Sequence, residues 1–287
     1  MKKVWIFGDS ISAEINNPDS YQQAWAHFLP EFLTDDIEYK NVAVGGTTLK
    51  WFYDSTDYMK GLTHQNNPEE SRWGKILSGV EDGDIFIFFL GGANDHGQID
   101  FDGYFPCPDG DYIVDDYFKI VQNRDVYLYV GCGYGTHRYW TARSTVEGFA
   151  ELLTKMINEV KAKGATPMIA RGLGKCYMRN NDNFDVFPAS HEYMEVLPTV
   201  AENTGVFYID IGGVFEQNFK EKGYQFMMDN LFMTENAINA LNKEYGKDLI
   251  CKFNDTTHTN IKGAKLLCDI FISEMKKSEF ELNEYLK

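Results

Sequence analysis

A serine hydroxyl becomes a strong nucleophile when a histidine takes its proton and a carboxylate orients that histidine. The chain holds candidates for all three: Ser10 in Gly8-Asp9-Ser10, and Asp255 and His258 in Asp255-Thr256-Thr257-His258. Three residues apart on one short turn, the Asp255 carboxylate can reach the imidazole Nδ1–H and leave Nε2 free for the Ser10 proton. The tetrahedral intermediate of an acyl transfer carries negative charge and needs fixed hydrogen-bond donors. The backbone N–H groups of Ser10 and Gly46 and the side-chain amide of Asn94 would supply three. Asp9 and Asp95 read as loop residues, Asp9 ordering the nucleophile loop through backbone hydrogen bonds.

These residues are spread over the 287-residue chain, so the fold has to gather them. Residues 3–7 form a short apolar run stopped by Gly8-Asp9-Ser10, a buried strand feeding a loop, with Ser10 expected to open a helix. Residues 21–33 show helical spacing of Trp25, Phe28, Leu29 and Phe32. Residues 37–44 read as a second strand closed by Gly45-Gly46, and 84–90 as the strongest strand, apolar without alternation and therefore buried on both faces. An amphipathic helix over 146–163 ends at Gly164, a glycine C-cap. A strand at 166–170, a helix at 191–203, a strand at 206–211 and a last helix at 261–275 follow, with a peripheral charged tail over 276–287. This alternation predicts a doubly wound, flavodoxin-like α/β/α sandwich with about five parallel strands. Such sheets bind ligands outside the carboxyl ends of their strands, where all four polar clusters lie.

At this point the chain resembles the SGNH (GDSL-like) hydrolase superfamily, whose blocks carry Ser, Gly, Asn and His in that order. Gly8-Asp9-Ser10-Ile11 is similar to the first block, with Ile in place of the commoner Leu. Residues 41–46 (Asn-Val-Ala-Val-Gly-Gly) resemble the glycine block, Gly92-Ala93-Asn94-Asp95 the asparagine block, and Asp255-Thr256-Thr257-His258 the histidine block. The resemblance implies Ser10 as nucleophile, His258 as base, Asp255 as its orienting acid, and Gly46 and Asn94 as oxyanion donors. Gly45 is an alternative donor; the spacing from Asn41 favours Gly46. Within the superfamily, residues 144–167 and the run His258-Thr259 to Lys262-Gly263-Ala264 resemble bacterial carbohydrate acetylesterases, including rhamnogalacturonan acetylesterase-like proteins.

Each residue also has a structural reading. Ser10 could be a helix N-cap, Gly45-Gly46 a turn needing positive φ, Asn94 an Asx-turn and His258 a residue near a helix start. The order of the four clusters along one chain favours the chemical roles. Two segments interrupt the alternation, at about 96–143 and 229–252, and the absence of a linker favours one domain over 1–287. The first insertion is rich in aromatics, and His96, His137, Tyr139 and Trp140 are candidates to contact a sugar substrate. Trp51, Tyr53, Tyr104, Tyr134, Tyr139 and Trp140 all have core or loop packing as their ordinary reading.

The balance of 27 basic against 43 acidic residues gives a formal charge of −16. A field of that sign repels phosphate backbones and anionic lipid, so neither nucleic acid nor membrane is the expected partner. No apolar run reaches the roughly 20 residues of a membrane span, and no secretory leader precedes residue 3. If Met1 is native, a cytoplasmic location is expected; a secreted protein lacking its leader would read the same way. The five cysteines and the remaining histidines lack metal-ligand spacing, and ester hydrolysis by a serine requires no cofactor. The leading expectation is removal of O-acetyl groups from a small-molecule or oligosaccharide ester. A thioesterase or lipid esterase with an apolar acyl channel is the nearest rival, and a catalytically silent carbohydrate-binding protein a rival of another class.

Overall fold

The computed structural model describes residues 1–54, 71–92, 94–95, 119–123, 126–130, 141–144, 146–174, 176–180, 183–186, 188–251 and 254–287. The strands in chain order are β1 (Lys2–Gly8), β2 (Ile37–Asn41), β3 (Ile85–Leu90), β4 (Lys119–Asn123), β5 (Val126–Val130), β6 (Thr141–Ser144), β7 (Thr166–Arg171), β8 (Cys176–Asn180), β9 (Asn183–Val186), β10 (Phe207–Asp210), β11 (Phe232–Met233) and β12 (Asp255–Thr259). The helices are α1 (Leu49–Asp54), α2 (Arg72–Gly79), α3 (Val146–Ala162), α4 (Pro188–Thr204), α5 (Ile211–Lys222), α6 (Tyr224–Leu231), α7 (Glu235–Tyr245) and α8 (Ile261–Lys276).

Five strands form a parallel sheet in the order β10-β7-β3-β1-β2. Numbered among themselves, they run 2-1-3-4-5, the flavodoxin order expected from the alternation. Each central strand sends successive side chains to opposite faces. Val4, Ile6, Ile85, Ile87 and Phe89 join one core with residues of α5, α6 and α8. Trp5, Phe7, Phe86, Phe88 and Leu90 join a second core with residues of α2, α3 and α4. Every residue of β3 is buried, which explains why its sequence is apolar without a break. Helices on both faces make the domain doubly wound.

The structure departs from the expected elements in three places. No helix follows Ser10. Asp9 O accepts from both Ser12 N and Ala13 N, making one turn, but the next carbonyls bond elsewhere. Ile11 O accepts from Trp25 N and Ser12 O from the Asn41 amide, so these carbonyls serve distant partners in place of a helical ladder. Residues 21–33 are not one helix but two 3-10 turns, Trp25–His27 and Leu29–Phe32. Pro30 has no N–H to reach the Ala26 carbonyl, which accepts from the Tyr39 hydroxyl at 2.7 Å instead.

The tail is not peripheral either. Leu282 is fully buried, Phe280 stacks on Phe207 with centroids 5.0 Å apart, and Glu281 pairs with Lys2 at 2.7 Å.

The two insertions hold regular structure. β4, β5 and β6 form an antiparallel three-stranded sheet within the first, and β6 packs against α1 and α3. The second contributes the last turn of α6, then β11 and α7. A hairpin of β8 and β9, not foreseen in the sequence, follows β7 and lies against β12. Among the described residues no helix is long and apolar enough to cross a membrane.

Candidate active site

β1 delivers Ser10 to the carboxyl edge of the sheet, and a set of distant contacts fixes its loop. Ile11 N donates to Asp9 Oδ1 at 3.0 Å, Trp25 Nε1 to Ser12 Oγ at 2.9 Å, and Asn41 Nδ2 to Ser12 O at 2.8 Å. Gly8 is glycine by necessity: a Cβ there would sit 2.7 Å from Phe89 O and 2.9 Å from Ser12 Oγ. The loop is therefore built from residues of β1, β2 and the Trp25 turn, with β3 close beneath.

Asp255 and His258 stand on β12, which pairs antiparallel with β11, so the second insertion braces the strand that carries them. Asn260, fully buried, locks its far end. Its Oδ1 accepts from Lys262 N and Gly263 N to cap α8, while its Nδ2 donates to Asn230 O and Phe232 O. Thr259 adds a two-way tie to Gln23: Gln23 N donates to Thr259 O at 3.1 Å and Thr259 Oγ1 to Gln23 O at 3.1 Å.

The three side chains meet in one line. His258 Nδ1 lies 2.6 Å from Asp255 Oδ2, and His258 Nε2 lies 2.8 Å from Ser10 Oγ. Asp255 Oδ1 also accepts from Thr257 N at 2.8 Å and His258 N at 3.0 Å. Burial pushes the Asp255 carboxyl up, but the hydrogen bond and charge of His258 and the two backbone donors outweigh it, leaving the pKa below the ordinary carboxylate value. An ionised carboxylate only accepts. Nδ1 therefore carries the imidazole proton, and Nε2 is free to accept from the serine.

Of the proposed oxyanion donors, the loop after β2 brings both glycines to the site. Val42 N and Val44 N continue the parallel pairing to Ile6 O and Gly8 O at 2.9 and 3.1 Å. The chain then turns, with Gly46 at φ 73° and Thr47 Oγ1 donating to Val44 O at 2.6 Å. A Cβ on Gly45 would lie 3.4 Å from that of Ser10, so Gly45 packs against the serine and Gly46 makes the left-handed turn. Asn94 follows β3, and its Nδ2 donates to Asp9 Oδ2 at 3.3 Å. Asp95, buried, accepts from Leu49 N at 2.9 Å, tying the start of α1 to the Asn94 loop.

The structure thus brings together Ser10, Gly45, Gly46, Asn94, Asp255 and His258. His96, His137, Tyr139 and Trp140 lie outside the described residues, as do Tyr104 and Tyr134 and the side chain of Trp51. Tyr53 is a packing residue, its hydroxyl donating to Glu159 Oε1 at 3.0 Å. Among the described residues no cluster of three or more His, Cys, Asp or Glu could hold a metal ion. Sequence reading missed Asn41, Asn260 and the Trp25–Ser12 bond as supports of the site. The one signal was polar residues at strand and helix boundaries, which fits any loop equally well.

An acetylxylan esterase from Geobacillus stearothermophilus aligns over 98% of this chain and 95% of its own, with TM-score 0.52 and 13% identity. An alpha/beta hydrolase enzyme, LAE5, from the metagenome of Lake Arreo aligns over 96% of this chain and 95% of its own, with TM-score 0.52 and 14% identity. A Bacillus subtilis protein aligns over 96% of this chain with TM-score 0.58 and 18% identity, and the chain spans 56% of that protein's length. At these identities the likeness is one of fold. No curated protein matches the chain significantly by sequence. The family model of the GDSL-like lipase/acylhydrolase family, by contrast, matches residues 6–264. With that match over nearly its whole length, the chain belongs to the GDSL-like lipase/acylhydrolase family.

Proposed function

We propose that the protein is a serine ester hydrolase that removes acetyl groups from carbohydrate hydroxyls. The observation that carries the reading is the unbroken line of hydrogen bonds from Asp255 through His258 to Ser10. In this mechanism Ser10 Oγ attacks the ester carbonyl as its proton passes to His258 Nε2. The imidazolium is held by Asp255 and returns the proton to the departing sugar oxygen. The oxyanion is received by the N–H groups of Ser10 and Gly46 and by Asn94 Nδ2. Water, activated by the same histidine, then releases acetate from Ser10. Membership of an acylhydrolase family supports ester chemistry. That the same fold carries an acetylxylan esterase makes the acetylated sugar hydroxyl the first substrate class to test.

Two measurements test the two levels of this reading. Acetate release from acetylated xylan oligomers should be readily detected and should be lost in Ser10→Ala. In a p-nitrophenyl ester series, kcat/KM should be highest for acetate and fall with chain length. A maximum at octanoate or longer would replace the acetyl-sugar reading with a lipid esterase, leaving the ester chemistry in place.

A further inference from the structure

Asp9 is a half-buried carboxylate beside the reacting groups, and its roles in the loop do not use all of it. Oδ1 accepts from Ile11 N, which shapes the nucleophile turn. Oδ2 faces a different element, accepting from Asn94 Nδ2 at 3.3 Å, a bond that joins residues 85 positions apart. Burial pushes the Asp9 carboxyl up, while the Ile11 N–H and the charge of His258 pull it down; the net direction is upward. Desolvating a carboxylate is costly unless it is hydrogen-bonded or paired, and Ile11 N and Asn94 Nδ2 are donors to its two oxygens.

The chemistry of the pair is asymmetric. An amide can turn over, exchanging its carbonyl oxygen for its nitrogen at nearly the same volume, and in one of the two poses Asn94 has no N–H to give to an oxyanion. A carboxylate offers only acceptors. It therefore accepts the Nδ2 pose of Asn94 and repels the Oδ1 pose. Because Nδ2 carries two hydrogens, one satisfies Asp9 and the other stays free for a ligand.

We propose that Asp9 is a positioning residue that sets the amide orientation of Asn94, so that an N–H and not the carbonyl oxygen is presented to the reacting carbonyl. This rests on the ester-hydrolase reading above, and it adds a separate role for the second residue of the Gly-Asp-Ser cluster. Asp9→Asn preserves size and keeps an acceptor for Ile11 N, but it then presents its own Nδ2 to Asn94. Asn94 must turn its oxygen toward that nitrogen, withdrawing the donor from the site.

A double-mutant cycle with p-nitrophenyl acetate tests this. Asn94→Ala should lower kcat on the order of 10²- to 10³-fold, as loss of one oxyanion donor does. Asp9→Asn should lower kcat roughly 10- to 100-fold with KM nearly unchanged, and in the Asn94→Ala background it should cost less than about twofold. Losses that multiply overturn the proposal, as does a kcat unchanged in Asp9→Asn or in Asn94→Ala. Ser10→Ala separates the levels: if it stays active, the ester-hydrolase reading itself falls. If it is inactive while the two losses multiply, only the positioning role falls.

A measurement on the unaltered protein covers an Asp9→Asn variant that does not fold. The Asn94 side-chain amide pair, assigned by its loss in Asn94→Ala, should show one proton shifted downfield and slow to exchange. Two protons at the shifts of a free asparagine amide, both exchanging fast, overturn the proposal.

Discussion

Asp255 receives three hydrogen bonds, from Thr257 N, His258 N and His258 Nδ1, and its pKa is held below that of a free carboxyl despite burial. The sign of the pH response follows. Between the lowered folded value and the unfolded value of about 3.9, the folded chain binds fewer protons at this site than the unfolded one. Stability from Asp255 is therefore complete above that window and lost as pH falls through it. Asp255→Asn should flatten this acid loss in urea unfolding measured from pH 5 to pH 2. It should also lower kcat on the order of 10⁴-fold, because an asparagine can hold the imidazole in the tautomer that cannot accept the serine proton. A variant with near-normal kcat would remove Asp255 from the mechanism. At this scale much of the site was legible: Ser10, Asn94, Asp255 and His258 were each visible as a residue type beside a strand or helix boundary. What could not be read was the partner of Asp9, because a bond between residues 9 and 94 depends on how two strand ends are set side by side.

At the scale of elements, apolar period and glycine position were good guides wherever a segment's bonds are its own. α3 covers 146–162 and stops at Gly164, whose φ of 79° suits a glycine that ends a helix. β3 and β7 fall within a residue of their expected limits. The expectations fail where distant groups take the backbone bonds: Asn41 donates to Ser12 O where a helix is expected after Ser10, and Tyr39 on Ala26 O accompanies the 3-10 turns. The tail differs from its expected peripheral place for a related reason. Its charged residues mask Leu282, which is fully buried beneath an exposed run. The contacts of the tail, to Lys2, Leu33 and Thr34, lie at the amino edge of the sheet, opposite the Ser10 loop. Leu282→Ala should accordingly cost about 2–5 kcal/mol of stability and leave kcat unchanged. Urea unfolding and p-nitrophenyl acetate kinetics on the same preparation check both halves. A large drop in kcat at full occupancy of the folded state would mean that the tail reaches the site.

At the scale of the whole molecule, the strand order explains how residues 10, 46, 94 and 255–258 share one edge. Parallel strands β1, β2 and β3 all end there, and β12, held by β11 and the Asn260 cap, brings the histidine across to meet the serine. The alternation of strands and helices makes the doubly wound plan readable, and the unbroken apolar run of β3 fits a strand buried on both faces. The β8–β9 hairpin was not readable, because Cys176–Asn180 and Asn183–Val186 carry mixed residues whose pairing is decided by their neighbours. The central claim is that this gathering turns Ser10 into a nucleophile, and covalent labelling tests it without knowledge of the natural substrate. A fluorophosphonate should form one adduct per chain, located by peptide mass spectrometry on Ser10, and labelling should vanish in Ser10→Ala and slow sharply in His258→Ala. An adduct on another residue, or a folded protein that resists labelling altogether, would contradict the account.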